Sequence, residues 1–515
     1  MDRLTAYLFL PLFSILCLIY VYCKRCYSYW EKRGVHALSK PALIFGHSKP
    51  FLKRESAARD IFKEIYDECR QKSQKISGFY FFTKPCLVIC DLDLVKRIMK
   101  TDFEHFTDRL FHNHESDPLS EHMGSLKGEK WKKCRLKLSP AFTSAKTSMM
   151  FPTIVKYIDE FVDILKKSSF EHAEVEIRDL VDRFSIDVIG SCAFGIECNS
   201  LKNPNSDFGY YARNFFSTSL KDSLVMLLTC LCPSALSLVR VRSIRKDIGD
   251  FFLKVVGENI KFREDNNVIR KDFLHLLLQV RNNVAINENA VGIIKDNADS
   301  TPLLTETNVT AHSIVFFMAG YDTSASTIAF CLYELSLDLD IQAKARREVV
   351  QILDEHNQEF CYEVVNKMGY IEKCVKETLR KYAPPPAHLR ECTTSYNLPD
   401  TNLLIEKGTP VFVPVHGIHM DPEIYPDPEK FDPERFTDEC IAARHPCAWI
   451  PFGFGPRMCI GMKFGMTETK SCIAKLLLNF EFRTNGLTEI PIKIDPKSVV
   501  TNCENGIWLT IKTLD

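Results

Sequence analysis

A chain of 515 residues is long enough for several domains, or for one large domain whose elements share a core. Hydrophobic and charged fractions of 45% and 26%, with 11% aromatic residues, belong to a packed globular protein and exclude a disordered one. Lysine plus arginine and aspartate plus glutamate each number 66, so there is no global field for nucleic acid, and charge-based docking is local.

Leu4 to Tyr22 carries no charge, and at helical rise the segment covers about 28 Å, close to the hydrocarbon thickness of a bilayer. Cys23-Lys24-Arg25-Cys26 offers no small-residue cleavage site, and Lys24, Arg25, Lys32 and Arg33 follow the span, which keeps the remainder in the cytosol. Residues 1–30 are therefore expected to be a membrane anchor and its flank. A buried core helix is the rival, disfavoured because apolar residues cover every face. Cys23-x-x-Cys26 has no partner pair and is expected to hold no metal. The 20 cysteines are scattered without a repeating spacing, which fits a reducing compartment.

From 31 to 515 no repeat or low-complexity block intervenes, and the patterns predict one domain, mainly α with small β-sheets. Phe79 to Phe82 and Leu87 to Ile89 flank Thr83-Lys84-Pro85 as a strand-turn-strand unit; Leu403 to Ile405 and Val411 to Val415 flank Glu406-Lys407-Gly408 as a second hairpin. Phe273, Leu276, Leu277 and Val280 repeat at helical spacing, and Arg281 to Thr307 is a polar surface connection. Ile314 to Ala319 is apolar on every face, which predicts a helix through the interior. His112-x-His114, with His105 and His122, lacks the cysteine or carboxylate that would complete a zinc set. Asn308-Val309-Thr310 is a glycosylation sequon that a cytosolic domain leaves unmodified.

Phe452-Gly453-Phe454-Gly455-Pro456-Arg457-Met458-Cys459-Ile460-Gly461 is a glycine-rich turn delivering one cysteine to a helix start. A helix N-terminus lowers a thiol pKa and makes a metal ligand, and Gly455 and Gly461 would let a flat cofactor approach. On the residues alone, a buried structural cysteine and a phosphate loop are alternatives, and the latter lacks its Gly-Lys-Ser/Thr ending. Glu377 and Arg380 at i, i+3 can pair on one helix face, and Trp131 and Arg135 share another. Ala319-Gly320-Tyr321-Asp322-Thr323-Ser324 sets an acid and an alcohol inside the apolar helix, where a carboxylate needs a partner or water.

The pattern Phe-x-x-Gly-x-Arg-x-Cys-x-Gly resembles the haem-binding loop of cytochromes P-450, and with the other motifs in family order the resemblance covers residues 30 to 515. Asp117 to Ser120, Trp131 to Pro140 and Pro451 to Gly461 look most like the insect microsomal family six. The resemblance implies the cytochrome P-450 fold, a catalytic domain over 31–515, and haem whose iron is held by Cys459. It implies cofactor contacts from Trp131, Arg135, Ala319, Arg390, Phe452, Arg457 and Gly461, with the three arginines neutralising two propionates. Arg435 of Pro433-Glu434-Arg435-Phe436 would join Glu377 and Arg380 in a buried lock, and Asp322 and Thr323 would deliver protons to dioxygen. The activity implied is a monooxygenase at the endoplasmic reticulum membrane, acting on lipophilic substrates such as plant toxins, insecticides, lipids or hormones. Electrons come from NADPH through a cytochrome reductase, with a cytochrome b-type protein as a second donor, docking on Lys130, Lys132, Lys133 and Lys137.

Rival readings are a haem-thiolate isomerase or dehydratase, which an intact Asp322-Thr323 argues against, and a non-catalytic haem carrier. Departures from the family are His36 and Leu43 in the proline-rich hinge, Leu339, Ala383, and His388 where an apolar residue is usual. The pocket walls are expected from Phe106 to Met123, His312 to Thr323, Ala387 to Leu389 and Val499 to Ile507. His388 would then either face the substrate and favour polar-ended molecules, or turn toward a propionate or solvent.

Overall fold

The computed structural model describes residues 3–38, 40–111, 113, 117–171, 174–215, 242, 244–282 and 304–514. The principal helices are α1 (Arg3–Tyr27), α2 (Gly128–Leu138), α3 (Ser144–Glu171), α4 (Ile177–Phe194), α5 (Lys246–Asp265), α6 (Phe273–Arg281), α7 (Glu306–Leu337), α8 (Gly369–Lys381), α9 (Val415–His419) and α10 (Met462–Asn479). Strands are β1 (Ile76–Phe81), β2 (Lys84–Ile89), β3 (Glu174–Glu176), β4 (Ala387–Glu391), β5 (Tyr396–Asn397), β6 (Leu404–Ile405), β7 (Pro410–Pro414), β8 (Phe480–Arg483) and β9 (Trp508–Thr513). The chain is mainly helical with small sheets, as the periodicities predict.

A four-stranded sheet runs β1-β2-β7-β4, with β1 and β2 paired as the expected hairpin. The second expected hairpin does not form. β6 pairs with β5, whereas β7 lies between β2 and β4, so the strands on either side of Gly408 enter different sheets. Alternation reports that both are extended and half buried; partner choice is set by long-range packing that no local pattern encodes. A three-stranded sheet, β3-β9-β8, completes the set together with the β5-β6 pair.

α7 organises the helical part. Its start is fixed by a capping box in which Thr305 and Asn308 exchange side-chain and backbone bonds. It packs against α4, α5, α6, α8 and α10. Its mean hydropathy of 1.3 would let it cross a membrane, but 78% of that window is buried in protein, so its apolar character serves the core. α6 buries Phe273, Leu276, Leu277 and Val280 as expected. Of the Arg281–Thr307 connection, Arg281 closes α6 and Glu306 opens α7, while residues 283–303 lie outside the described residues.

Candidate active site

Cys459 sits at the end of a loop closed on itself. Its N–H donates to the Phe452 carbonyl at 2.8 Å, and α10 begins three residues later. Gly453 and Gly455 have φ of +81° and +73°, where side chains are strained. A Cβ on Gly455 would stand 2.0 Å from the Met99 carbonyl oxygen, so this glycine serves the packing of the loop and not the approach of a cofactor. At Gly461 no protein atom lies within 4 Å of where a Cβ would be, which leaves room for a flat group.

By surface area Cys459 is exposed, yet burial raises its thiol pKa. Both are true of a thiol that opens onto an internal cleft. The expectation of a lowered pKa is corrected: the Gly461 N–H, Arg109 and Arg135 favour the thiolate but do not overcome burial. In the middle of α7, which is largely buried, Val315, Ala319 and Thr323 retain accessible surface one turn apart on one face, together with Gly320 beside Ala319. Gly465 of α10, whose Cβ would lie 3.8 Å from Ser324 Oγ, packs the helix that follows the cysteine loop closely against α7.

The acid and the alcohol point in different directions. Thr323 Oγ donates to the Ala319 carbonyl at 2.6 Å and stays accessible. Asp322 is buried and accepts from Arg178 of α4 at 2.7 Å, while the same guanidinium nitrogen lies 3.0 Å from Asp182. Burial raises Asp182 to about 7, against Arg178 and with help from Asp322. Arg178 supplies the partner that a carboxylate in an apolar helix requires. Nothing in its sequence neighbourhood marks it.

Four guanidiniums gather near the loop, and they are not quite the three expected. Arg457 is buried, stacks on Trp131 at 4.1 Å, and donates to the carbonyls of Thr107, Met123, Gly124 and Leu126. It staples the 107–126 loop through these backbone oxygens. Arg109, which the motifs do not flag, donates to the Arg457 carbonyl at 2.9 Å and favours the thiolate of Cys459. Arg390 is buried, with its Nε unpaired. Burial, Arg109 and Arg457 hold the Arg390 pKa well below the usual arginine value. Burial lowers Arg135 and Arg109 too. Among the described residues none of these four forms an ion pair within 4 Å of a carboxylate.

Behind the loop, Arg380 binds Glu377 through two parallel bonds of 2.7 and 2.8 Å, both side chains fully buried, and Arg435 approaches Glu377 at 3.4 Å. Arg380 also donates to the carbonyls of His419, Pro428 and Lys430. The three residues expected to meet do meet. His388 differs from expectation: its Nε2 lies 2.6 Å from the Ile450 carbonyl, so the ring turns to the cysteine loop and not to a substrate. Of the histidine set, His112 and His114 lie outside the described residues, and no cluster of three metal-binding groups occurs among the described ones.

The family profile described as cytochrome P450 matches residues 38–510. The chain belongs to the cytochrome P450 family. Its relatives include a probable cytochrome P450 6a23 of Drosophila melanogaster, 41% identical over 496 residues, 95% of this chain and 96% of that one. Cytochrome P450 6a2 of the same species is 37% identical over 514 residues, 99% of each chain. Cytochrome P450 6k1 of Blattella germanica is 35% identical over 498 residues, 95% of this chain and 94% of the other. This cytochrome P450 is a haem monooxygenase, an oxidoreductase that receives electrons from NADPH through a redox partner and acts on lipophilic xenobiotic or endogenous compounds.

The residues present fit haem. Desolvated arginines that repel one another call for an anion, and the two carboxylates at the haem edge supply it; Arg390 with its orphaned Nε is the group most in need. The open face at Gly461, two residues from an accessible thiol, leaves room for a flat group beside the sulfur.

The buried histidines of this P450 make it sensitive to acid. Burial lowers His47 and His312 to about 4 and His419 to about 3. Each stays neutral when folded but binds a proton when unfolded below 6.5, so its stabilisation is complete above that pH and is lost as the pH falls toward the folded value. The loss is about 1.4 kcal/mol per pH unit for each of them. The urea midpoint is expected to drop steeply from pH 7 to about 5; a midpoint constant over that interval would contradict the neutral-histidine core.

Proposed function

We propose that Cys459 is the axial ligand of the haem iron in an insect family six type monooxygenase, with Arg135, Arg390 and Arg109 on the propionates. The observation that carries this is an accessible cysteine whose thiolate is favoured by Arg109 and Arg135, two arginines that have no carboxylate partner among the described residues. When bound, the thiolate-ligated haem activates dioxygen so that one oxygen atom enters the substrate. Trp131 and Arg457 hold the neighbouring loop, Phe452 and Gly461 shape the thiol's surroundings, and Ala319 leaves space on α7. Thr323 Oγ, whose proton is bonded to the Ala319 carbonyl, turns it into the cleft, and Asp322, once released from Arg178 and protonated by water, replaces that proton.

Residues 1–30 serve as a single-pass anchor in the endoplasmic reticulum membrane, before a catalytic domain over 31–515. Supporting this, α1 exposes Leu12, Phe13, Ile15, Leu16, Leu18 and Val21. A cytochrome reductase docks on α2, with a cytochrome b-type protein as second donor. There Lys130, Lys132, Lys133 and Lys137 are exposed around Leu136, itself 77% exposed.

Incubation with NADPH, reductase and a panel of lipophilic compounds tests the reading. Asp322→Asn and Thr323→Ala are expected to keep haem and substrate binding while product per NADPH falls roughly tenfold or more, the electrons leaving as peroxide. Unchanged coupling in both would remove the proton role. Turnover of a peroxide substrate without NADPH or reductase would favour an isomerase.

A further inference from the structure

Ile450 opens the turn that ends at Cys459, and both sides of its peptide are bonded to imidazoles from other elements. Its N–H donates to His419 Nε2 at 2.9 Å. Its carbonyl takes His388 Nε2 at 2.6 Å, and also the Gly453 N–H at 3.0 Å. An amide can only donate and a carbonyl can only accept, so each tautomer is settled by its partner. His419 carries its proton on Nδ1, which faces the Arg380 carbonyl at 3.2 Å; His388 carries its proton on Nε2.

The surrounding segment has no ladder or helix of its own. Residues 448–452 are bonded to the rest of the protein largely by side chains: Tyr425 donates to the Ala448 carbonyl at 3.1 Å, and Trp449 donates to that of Lys376 at 3.1 Å. Where such a segment stands depends on the side chains that grip it. Two residues beyond Ile450, the Phe452 carbonyl receives the Cys459 N–H. Arg380, bonded to Glu377, donates in turn to the His419 carbonyl at 3.0 Å. A continuous set of bonds thus runs from the Glu377–Arg380 pair through His419 and Ile450 to the sulfur's own backbone.

We propose that His388 and His419 are positioning residues for the Cys459 sulfur: a two-imidazole clamp on the Ile450 peptide that ties the cysteine loop to the Glu377–Arg380 pair. The proposal rests on the reading of Cys459 as the iron ligand. His419 is buried and His388 half-buried, and desolvation lowers both to about 3, with Arg380 beside His419 and Arg390 and Arg109 beside His388, so both stay neutral. Neutrality matters because a protonated His419 has no lone pair for the Ile450 N–H. The clamp also gives His388 a use that an apolar residue cannot serve.

The test uses the full-length haem-loaded protein and compares His388→Phe, His388→Gln, His419→Phe and, as control, Leu477→Ala, a core cavity on α10 away from the loop. The readouts are the rate at which the reduced carbon monoxide complex loses its thiolate band on mild warming, and amide exchange across 448–460. Both Phe variants are expected to convert roughly tenfold faster than the parent, the effect of one buried hydrogen bond, and to exchange Ile450 faster. His388→Gln keeps a donor at the same reach and should return to within about threefold. Leu477→Ala should lower the melting temperature without changing the conversion rate. If the Phe variants convert no faster than Leu477→Ala at matched melting temperature, the clamp is overturned. Should His419→Phe fail to fold, the His388 pair decides. A parent protein with no thiolate band would sink the ligand assignment instead, and exchange at Ile450 would then decide the clamp by itself.

Discussion

Cys459→Ala is expected to abolish the red-shifted band of the reduced carbon monoxide complex and to leave no measurable turnover. Changes to residues that merely orient a metal ligand cost ten- to a hundredfold, so loss of the ligand should exceed about a hundredfold. The exposure pattern argues that no other thiol among the described residues can replace it. Among the described cysteines only Cys17, Cys440 and Cys459 are exposed; Cys17 lies in α1, and Cys440 lies on the short helix Asp438–Ala443. The nearest rival, Cys134, is buried, stands 3.0 Å from His312 Nε2, and has its thiol raised by burial to about 12. A thiolate band surviving in Cys459→Ala would therefore mean that the cleft has been assigned to the wrong loop.

Breaking the buried pair behind the loop should have the next largest effect, on stability and not on chemistry. Glu377→Leu leaves Arg380 charged and without a carboxylate in a site with no solvent contact, at a cost of about 3–5 kcal/mol. Against a total stability of roughly 5–15 kcal/mol, that predicts poor soluble yield and a large fall in denaturant midpoint before any loss in haem chemistry. The double variant Glu377→Leu with Arg380→Met should be milder than the sum of the two single changes, since no orphan charge remains. Arg435→Ala should cost about 1 kcal/mol, its contact being longer and nearer the surface. A midpoint in Glu377→Leu equal to that of the parent would show that the pair is not structural.

How much of this could be read from the chain depends on the reach of each interaction. The cysteine loop, the Glu377–Arg380 pair and the helices carrying Trp131 and Asp322 are written within a few residues, and all take the expected local form. Arg178, Arg109 and His419 were missed because each acts on a group far along the chain: Arg178 meets Asp322 at a separation of 144, and His419 meets Ile450 at 31. A lone arginine in sequence looks like a solvated one until its partner is known. His388 stands out in the sequence as a departure, but its ring's partner, the Ile450 carbonyl 62 residues on, does not. The motif around Arg457 does not reveal that four carbonyls of the 107–126 loop take its donors, because those acceptors lie more than 300 residues away.

That last arrangement bears on how such a protein can diversify. Arg457 grips the 107–126 loop by backbone oxygens at Thr107, Met123, Gly124 and Leu126, and every amino acid carries such an oxygen. The loop expected to wall the pocket can therefore exchange most of its side chains by mutation without surrendering its attachment to the cysteine loop. Descendants of one ancestral sequence are free to trial new pocket linings while inheriting the same anchorage, and the guanidinium that secures it is the one position in the arrangement that drift cannot touch.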